Sequence, residues 1–459
     1  MTTAPQTPTR KEGSDSGPSR PDPGPRRGIG WIVAGSLVTG LGVGLLLVAA
    51  PFIPAEESAV TGALLCGFAF GWALLAVLSM RFSDQPQRWA VAPAIFMGLG
   101  GLFLLAFGSS VQSVLRWVWP PALLVLVVWM IVRSRQQLRS RSRLLLLYPV
   151  FAVLLLAAVG GGYETLRESA FASAYPMPGE LIDVGGYNLH LQCTGSGSPT
   201  VILEPGGGEM SSALGWIAPV VAGHTQVCVY DRAGRGWSEP AETPQDATQI
   251  ATDLHTLLDR GHVPGPYLLA GHSFGGLYVL TFAAQYPDEI SGMVLVDSAA
   301  PRSNAEAPPA EDGSYDIKRR VAALLSSSAR FGLGRLIVQL DYGSLPPRSR
   351  DEARASGATV SHAQSTIEEY LQATASFAQA AALDDFEDKP LIVLTAGIGS
   401  SAAWMTAQDK MATLSPNSVQ RVIDGVAHIG LLHDEQGAAA TTQAILDVLS
   451  SIRDDEPLQ

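Results

Sequence analysis

The chain has 459 residues, of which 47% are hydrophobic and only 16% are charged, and its formal net charge is −12. So many apolar residues with so few charges are unusual for a wholly soluble protein and indicate a part that lies in a membrane. The negative charge argues against a nucleic-acid-binding protein, because contacts with phosphates need a basic face. The three cysteines form no zinc-type Cys/His cluster, so no metal site is predicted.

Residues 1–28 are rich in Pro, Gly, Ser and Thr and contain almost no large apolar side chains. Such a segment cannot bury enough surface to offset its ordering entropy, so a disordered tail is predicted. It also lacks the apolar region and the cleavage site of a signal peptide.

Five apolar segments follow within residues 29–162. They cover residues 30–50, 59–80, 90–108, 114–132 and 144–162. Each approaches the about 20 residues needed to cross the hydrocarbon core of a bilayer. The fourth segment has the weakest signal, because Arg116 lies near one end and Pro120-Pro121 lies inside it. Five such runs in succession predict a transmembrane region of about five helices rather than buried helices of a large soluble protein.

The arginines outside these segments predict an orientation. They precede the first segment, separate the second from the third, and separate the fourth from the fifth: Arg20, Arg26, Arg27; Arg81, Arg88; Arg133, Arg135, Arg139, Arg141, Arg143. The alternate loops carry Glu56 and Glu57, or Arg116 alone. The positive-inside rule then places the N-terminus in the cytoplasm. We therefore expect a multi-pass protein of the cell membrane, with a linker at 163–179 and an extracytoplasmic domain at 180–459.

From residue 180 short β-rich runs such as "TVILEPG", "YLLAGHS" and "GMVLVDS" alternate with helical stretches. Buried strands that alternate with helices predict an α/β domain with a mostly parallel sheet. Residues 300–388 interrupt this alternation, first with a polar, Pro-rich stretch and then with helical periodicity. We interpret this insertion as a helical lid over the strand ends; a disordered surface insertion is the alternative.

One pentapeptide at a predicted strand-to-helix junction indicates catalysis. Gly271-His272-Ser273-Phe274-Gly275 has the pattern G-x-S-x-G, which in this context is typical of a nucleophile elbow. The serine lies in a sharp turn, and the glycines Gly271 and Gly275 remove side chains that would clash with neighbouring backbone. The N-terminus of the following helix supplies N–H donors for a developing oxyanion. Ser273 is therefore the candidate nucleophile.

With this motif, residues 180–453 resemble the serine hydrolases of the α/β-hydrolase family. The matching pieces occur in family order: "VILEPGGG", "VYDRAGRGWS", "GHSFGG", "VLVDS" and "GVAHIG". The resemblance implies an eight-stranded, mostly parallel sheet and a catalytic histidine after the last strand. His428 holds that place, with His433 as a nearby rival. It also implies that the turn around Asp231-Arg232 is structural.

The position of the catalytic acid departs from the usual family pattern. The stretch after the seventh strand, "LIVLTAGIGSSAAWMTAQD", contains no Asp or Glu before Asp409. Some family members carry the acid after the sixth strand instead, where Asp297 follows "MVLV". We predict that Asp297 orients the histidine; a purely structural role at the strand end is the alternative.

The resemblance also implies an oxyanion hole and a disulfide. In "EPGGGEM" the N–H of Gly207 is the expected partner of the N–H of Phe274. The strands that carry Cys193 and Cys228 are neighbours in the resembled fold, and an external compartment would permit a disulfide between them. Two free buried thiols are the alternative.

The expected function is that of a membrane-anchored serine hydrolase that needs no cofactor and acts on a small-molecule or lipid ester through an acyl-enzyme. Cleavage of amides or peptides, such as aminopeptidase activity, is the alternative within the same chemistry. A non-catalytic external binding domain is a second alternative. Transport is a third, which the near absence of ionisable residues inside the spans disfavours. The sequence leaves the oligomeric state open.

Overall fold

A computed structural model describes residues 29–137, 146–241, 243–302 and 314–459. The predicted tail at 1–28 lies outside the described residues, as do the loop arginines Arg139, Arg141 and Arg143 and the Pro-rich start of the predicted lid. A helical N-terminal part and a sheet-containing C-terminal part follow one another along the chain.

Within residues 29–137 and 146–174, five α-helices form the N-terminal part. They are α1 (Ile29–Val48), α2 (Glu57–Phe82), α3 (Val91–Phe107), α4 (Gln112–Gln137) and α5 (Tyr148–Ala174). All five are long and apolar enough to cross a membrane. Helix α5 continues to Ala174 and so includes the first residues of the predicted linker at 163–179. The continuation "YETLRESAFASA" is polar, but it contains no Gly or Pro that would end a helix.

Helices α1 and α2 approach each other through small residues. Gly40 and Gly44 on α1 face Gly67 and Gly71 on α2, and a Cβ atom added to Gly67 would overlap the Cα atom of Gly44. Glycines spaced four apart let two helix backbones come this close, which is a packing mode of membrane helices. Side chains larger than hydrogen would push the pair apart.

The C-terminal part contains an eight-stranded sheet. Its strands are β1 (Glu180–Asp183), β2 (Asn188–Thr194), β3 (Thr200–Glu204), β4 (Val227–Tyr230), β5 (Tyr267–His272), β6 (Ile290–Val296), β7 (Leu391–Ile398) and β8 (Ser418–Ala427). Their order in the sheet is β1-β2-β4-β3-β5-β6-β7-β8. Strands β1 and β2 pair antiparallel, and the pairs from β4 through β8 are parallel. The predicted mostly parallel eight-stranded sheet is confirmed.

Helices cover both faces of this sheet. They are α6 (Ala218–Val221), α7 (Ala247–Arg260), α8 (Phe274–Gln285), α14 (Ala402–Ala412), α15 (Gly430–His433) and α16 (Glu435–Asp454). Leu269 and Leu295 pack with the core on one face, and Leu268 and Val294 pack with the core on the other. Because neither face meets water, the central strands are apolar at successive positions. Because the paired strands β3 and β5 to β8 are parallel, their carboxyl ends meet along one edge of the sheet.

Between β6 and β7 lies a group of five helices. They are α9 (Ser314–Ser326), α10 (Leu333–Val338), α11 (Pro347–Gly357), α12 (Val360–Leu371) and α13 (Ala373–Ala380). They occupy the described part of the insertion at 300–388, and we call them the lid.

Candidate active site

Ser273 occupies the junction between β5 and α8. Its backbone has φ 53° and ψ −121°, a conformation that costs a residue other than glycine about 1–3 kcal/mol. Three hydrogen bonds hold it there: Ser273 N–H donates to the Val296 carbonyl at 3.1 Å, and the N–H groups of Ala299 and Gly276 donate to the Ser273 carbonyl at 2.9 Å and 3.0 Å. The half-buried serine thus lies at the carboxyl edge of the sheet.

The two glycines of the pentapeptide are required by close backbone contacts. A Cβ atom at Gly271 would lie 2.6 Å from the carbonyl oxygen of Gly275, and one at Gly275 would lie 2.5 Å from the carbonyl oxygen of Glu204. Strand β5, helix α8 and the end of β3 are therefore packed backbone against backbone around the serine. This is the geometry that a nucleophile elbow needs.

Asp297 and His428 form a direct hydrogen bond. His428 Nδ1 lies 2.6 Å from Asp297 Oδ2, and the carboxylate is nearly buried whereas the imidazole is 42% exposed. Asp297 follows β6 and has φ 43°; His428 follows β8. A carboxylate on Nδ1 leaves Nε2 free to accept a proton from a nucleophile, which is the arrangement of a catalytic triad.

The second carboxylate oxygen of Asp297 is also satisfied. Trp404 Nε1 donates to Oδ1 at 2.7 Å, and the Ala396 N–H donates to the same atom at 3.3 Å. Burial alone would raise the pKa of Asp297, but the hydrogen bonds from His428 and Trp404 outweigh it and hold this pKa below its ordinary value. Trp404 thus supports, from the segment after β7, an acid that comes from β6. Asp409 lies further along on the exposed side of α14.

His272, which precedes the serine, supports the loop of His428. Its Nε2 donates to the carbonyl of His428 at 3.1 Å, and the two ring centroids are 4.6 Å apart. Complete burial, together with the nearby imidazole of His428, lowers the pKa of His272 to about 3. A neutral imidazole that donates one hydrogen bond holds the His428 loop beside Ser273 and cannot serve as the exposed base.

Gly207 and Phe274 lie side by side at the elbow. A Cβ atom on Gly207 would lie 3.3 Å from the ring of Phe274, and one on Gly206 would lie 3.3 Å from the Cβ atom of Ser273. Phe274 is the first residue of α8, where backbone N–H groups lack helical acceptors. Among the residues that the structure describes, the Gly207 N–H also donates to no other group. Two free donors next to a serine form a candidate oxyanion hole.

A buried arginine and a buried glutamate fix the position of the loop at residues 205–208, which we call the glycine loop. Arg232 donates to the carbonyl of Pro205 at 2.9 Å and to that of Gly206 at 2.6 Å. From the other side, the Gly208 N–H donates to Glu369 Oε2 at 2.8 Å. Glu369 belongs to lid helix α12, so the lid takes part in shaping the candidate oxyanion hole.

These two residues belong to a charge-balanced buried network. Arg232 pairs with Glu204 and Glu369, and Arg235 pairs with Glu369. Tyr278 donates a further hydrogen bond to Glu369 Oε1 at 2.8 Å. Burial alone would raise the pKa of Glu369, but the two guanidinium groups outweigh it and hold the pKa below its ordinary value. Each of the five polar side chains in this network has a partner, and this pairing offsets the free-energy cost of burying them.

Other candidates have structural partners. Asp231 is buried, contacts His190 Nδ1 at 2.8 Å and accepts a hydrogen bond from the Ser211 N–H, so it stabilises the turn after β4. His433 on α15 contacts Glu209 Oε2 at 3.3 Å. Neither residue is paired with Asp297.

Cys193 and Cys228 are paired in register across β2 and β4 and are joined by a disulfide. The bond ties the antiparallel edge of the sheet to its parallel part.

Sequence reasoning missed Glu369 and Trp404. Glu369 is separated from Arg235 by 134 residues, and no local pattern distinguishes it from the neighbouring Glu368. Trp404 lies in the segment after β7, where the family usually carries a carboxylate. The absence of an acid after β7, together with a tryptophan there, was the available signal.

Comparison with known proteins bears on the fold of the C-terminal part. The family model described as alpha/beta hydrolase fold matches residues 199–435. An uncharacterized protein of Schizosaccharomyces pombe is 25% identical over 324 residues, which cover 63% of this chain and 59% of that protein. An uncharacterized vacuolar membrane protein of Saccharomyces cerevisiae is 28% identical over 132 residues, which cover 24% of this chain and 20% of that protein. The chain therefore spans less than two thirds of the length of these relatives. A solved structure of an esterase from Thermogutta terrifontis has 21% identity and a TM-score of 0.45, over 58% of this chain and 94% of that one.

Proposed function

Because the chain belongs to the α/β-hydrolase family, we propose that it is a membrane-anchored serine hydrolase that cleaves ester-type substrates. The observation that carries the proposal is the 2.6 Å contact between His428 Nδ1 and Asp297 Oδ2, made next to the strained elbow of Ser273. Each of the three residues follows a different strand, and all three lie at the same edge of the sheet.

Acylation begins when His428 Nε2 takes the proton of the Ser273 hydroxyl. The serine oxygen attacks the ester carbonyl, and the negative charge on the tetrahedral oxygen is stabilised by the N–H groups of Phe274 and Gly207. Asp297 keeps the imidazole in the correct tautomer and stabilises the imidazolium ion. When the intermediate collapses, the bond to the alkoxy group breaks, and His428 gives its proton to the departing alcohol.

Deacylation repeats these steps with water. His428 removes a proton from a water molecule, the hydroxide attacks the acyl-serine carbonyl, and the same two N–H groups stabilise the second oxyanion. Collapse releases the carboxylic acid and returns the proton from His428 to Ser273. These steps need neither a metal nor an organic cofactor.

Aromatic side chains beside the elbow favour an apolar acyl group. The ring of Phe274 lies 5.2 Å from that of Tyr370 and 5.8 Å from that of Phe377, with both partners contributed by the lid. Apolar walls and a few convergent polar groups are typical of small-molecule sites. Carboxylic and lipid esters fit this environment, and hydrolysis of amides or peptides by the same residues is the alternative.

The five apolar helices support membrane anchoring. An odd number of crossings places the two ends of the membrane region on opposite sides, and the arginine pattern assigns the N-terminal side to the cytoplasm. The hydrolase part then lies outside the cytoplasm, where the disulfide between Cys193 and Cys228 is stable.

Labelling with a fluorophosphonate probe tests the proposal. The full-length wild type in detergent should become labelled, whereas Ser273→Ala should not. Ser291→Ala is the control, because this serine on β6 donates to the Tyr267 carbonyl. Hydrolysis of a series of nitrophenyl esters and of nitroanilides with the same acyl groups then separates esterase from amidase activity. A folded wild type that neither reacts nor hydrolyses would favour a non-catalytic binding domain.

A further inference from the structure

The lid rests on one end of the membrane helices. Arg320 of α9 donates to the carbonyl of Val48, where α1 ends, at 2.7 Å. Arg330, in the turn after α9, donates from Nε to Glu57 Oε1 at 2.7 Å, where α2 begins. The start of the lid therefore packs against the connection between α1 and α2.

A second set of contacts joins the lid to α5. Arg335 Nε donates to Glu164 Oε2 at 2.9 Å, and a Cβ atom at Gly160 would overlap the carbonyl oxygen of Phe331. Glu164 is the first charged residue after the apolar part of α5. The lid segment at 314–340 therefore contacts the end of α1, the beginning of α2 and the end of the apolar part of α5, which lie together on one side of the helix group.

This segment turns an apolar surface away from the protein. Seven large apolar side chains on it are between 50% and 88% exposed: Ile317, Val321, Leu325, Leu333, Leu336, Ile337 and Leu340. We call them the apolar lid face. Its first three members are spaced four residues apart, on one side of α9, while Ala322 and Ala323 on the other side are buried. Contiguous exposed patches of this kind mark a surface that has a partner.

The apolar lid face continues the lipid-exposed surface of α5. Val159, Tyr163 and Leu166 on that helix are each more than half exposed. Tyr163 reaches to within 3.9 Å of the Cβ position of Gly332, between the two groups of lid residues. An apolar surface on the lid that adjoins exposed apolar residues of a membrane helix has the bilayer as its natural partner.

We propose that the apolar lid face is inserted in the interfacial layer of the bilayer, in the leaflet reached by these helix ends, and that the substrate is an ester dissolved in that leaflet. This inference rests on the proposed hydrolase function and extends it to the substrate class. Burial of seven such side chains supplies apolar area of the kind that holds amphipathic helices at membrane surfaces.

The lid connects this surface to the candidate oxyanion hole. Arg319 on α9 donates from Nη2 to Glu368 Oε1 on α12 at 3.1 Å. The next residue on α12, Glu369, accepts the hydrogen bond from Gly208. Helices α9 and α12 therefore connect the apolar lid face to the loop beside Ser273, and an ester in the outer part of the leaflet lies next to the first of these helices.

Fluorescence quenching by brominated lipids tests the insertion directly. In full-length protein with Cys66→Ala, single cysteines replace Leu336 or Leu340 and carry a bimane label, and the protein is placed in phosphatidylcholine nanodiscs. Lipids brominated near the headgroup should quench both labels. A label at Val118, exposed on α4 close to the Arg116 carbonyl that accepts a hydrogen bond from Thr165 of α5, is the positive control, and a label at Val422, exposed on β8, is the negative control. Quenching at Leu336 and Leu340 no greater than at Val422 would overturn the proposal, as would labels shielded from lipid by a second copy of the chain.

A kinetic measurement tests the substrate class. The double variant Leu336→Glu/Leu340→Glu should lower the ratio of activity on a long-chain ester in phosphatidylcholine vesicles to activity on a water-soluble acetate ester by about fivefold or more. An unchanged ratio would overturn the assignment to bilayer-resident esters. Because quenching does not depend on turnover, a protein without hydrolase activity but with quenched labels would refute the proposed function and leave the membrane insertion standing.

Discussion

Asp297 and His428 are separated by 131 residues of sequence and share a 2.6 Å hydrogen bond between Oδ2 and Nδ1. The acid comes from the end of β6, and β7 lies between it and the strand that carries the histidine. Trp404 bridges this gap, because its Nε1 binds the other carboxylate oxygen from the segment after β7. The acid thus follows β6, and its support comes from the segment after β7, where the acid usually lies in the family.

Asp297→Asn tests this pairing. The amide keeps the shape of the carboxylate, but it favours the wrong imidazole tautomer and cannot stabilise the imidazolium ion. We expect kcat to fall by about 10³–10⁴-fold with little change in folding. The measurement is the hydrolysis of a nitrophenyl ester. Asp409→Asn is the control, and a larger loss in that variant than in Asp297→Asn would show that the acid follows β7.

Gly275→Ala tests the backbone contacts of the elbow. The new methyl group would lie 2.5 Å from the Glu204 carbonyl oxygen, and neither backbone can move without displacing β3 or α8. We expect a loss of stability of about 1–3 kcal/mol and the loss of fluorophosphonate labelling. Gly343→Ala is the matched control, since nothing lies within 4 Å of its Cβ position. Equal unfolding midpoints of the two variants would contradict this account.

Glu369→Gln tests the fixation of the glycine loop from the lid. The amide preserves the size of the side chain, but it weakens the pairing with Arg232 and Arg235 and the hydrogen bond from Gly208. We expect kcat to fall by about tenfold while KM changes little, because an oxyanion donor acts in the transition state. Glu352→Gln on α11 is the control. A change in KM alone would instead indicate that the lid helix only binds substrate.

The nucleophile elbow of the candidate site could be predicted because all its residues are neighbours in the sequence. The elbow lies within one pentapeptide whose strand and helix are both apolar, so its position follows from the pattern around Ser273. The five predicted apolar segments overlap α1 to α5, but α5 extends to Ala174 because hydropathy marks the end of a span and not the end of a helix.

The side chains that hold the candidate catalytic residues in place come from segments that are distant in the sequence. Glu369 has the same residue type and helix as Glu368, and only the packing of the lid decides which of them reaches Arg235. Sequence patterns extend over only a few residues, so they do not distinguish Glu369 from Glu368. Membership in a family helps little here, because a lid differs in length and packing among proteins that share a sheet.

His272→Gln tests the buried neutral histidine. The pKa of a histidine is about 6.5 in an unfolded chain, and that of His272 is about 3 in the folded protein. Between these values the unfolded chain binds a proton that the folded chain excludes, so stability decreases as the pH falls, by up to about 1.4 kcal/mol per pH unit. Glutamine keeps an N–H donor for the His428 carbonyl and does not titrate.

We therefore expect the unfolding midpoint of the wild type to fall more steeply between pH 6.5 and pH 4 than that of His272→Gln. His362, whose burial also lowers its pKa to about 3, contributes equally to both proteins and cancels in the difference. The control is His224→Gln, at an exposed position. Parallel pH profiles for the wild type and His272→Gln would mean that His272 is not buried as a neutral group.

Thiol counting tests both the disulfide and the compartment of the hydrolase part. Cys66 is the only cysteine outside the bond between Cys193 and Cys228. Denatured protein from cells should therefore react with one maleimide before reduction and with three after it. Such a bond persists in an oxidising compartment and is rare in the cytoplasm.

Cys193→Ser/Cys228→Ser should also lower the free energy of unfolding by about 2–4 kcal/mol, because the bond restricts the unfolded chain between β2 and β4. Cys66→Ala provides the control for loss of a thiol without loss of a cross-link. Three reactive thiols before reduction would place the hydrolase part in a reducing compartment. The arginine pattern, read as positive-inside, would then assign the wrong side of the membrane to the N-terminus.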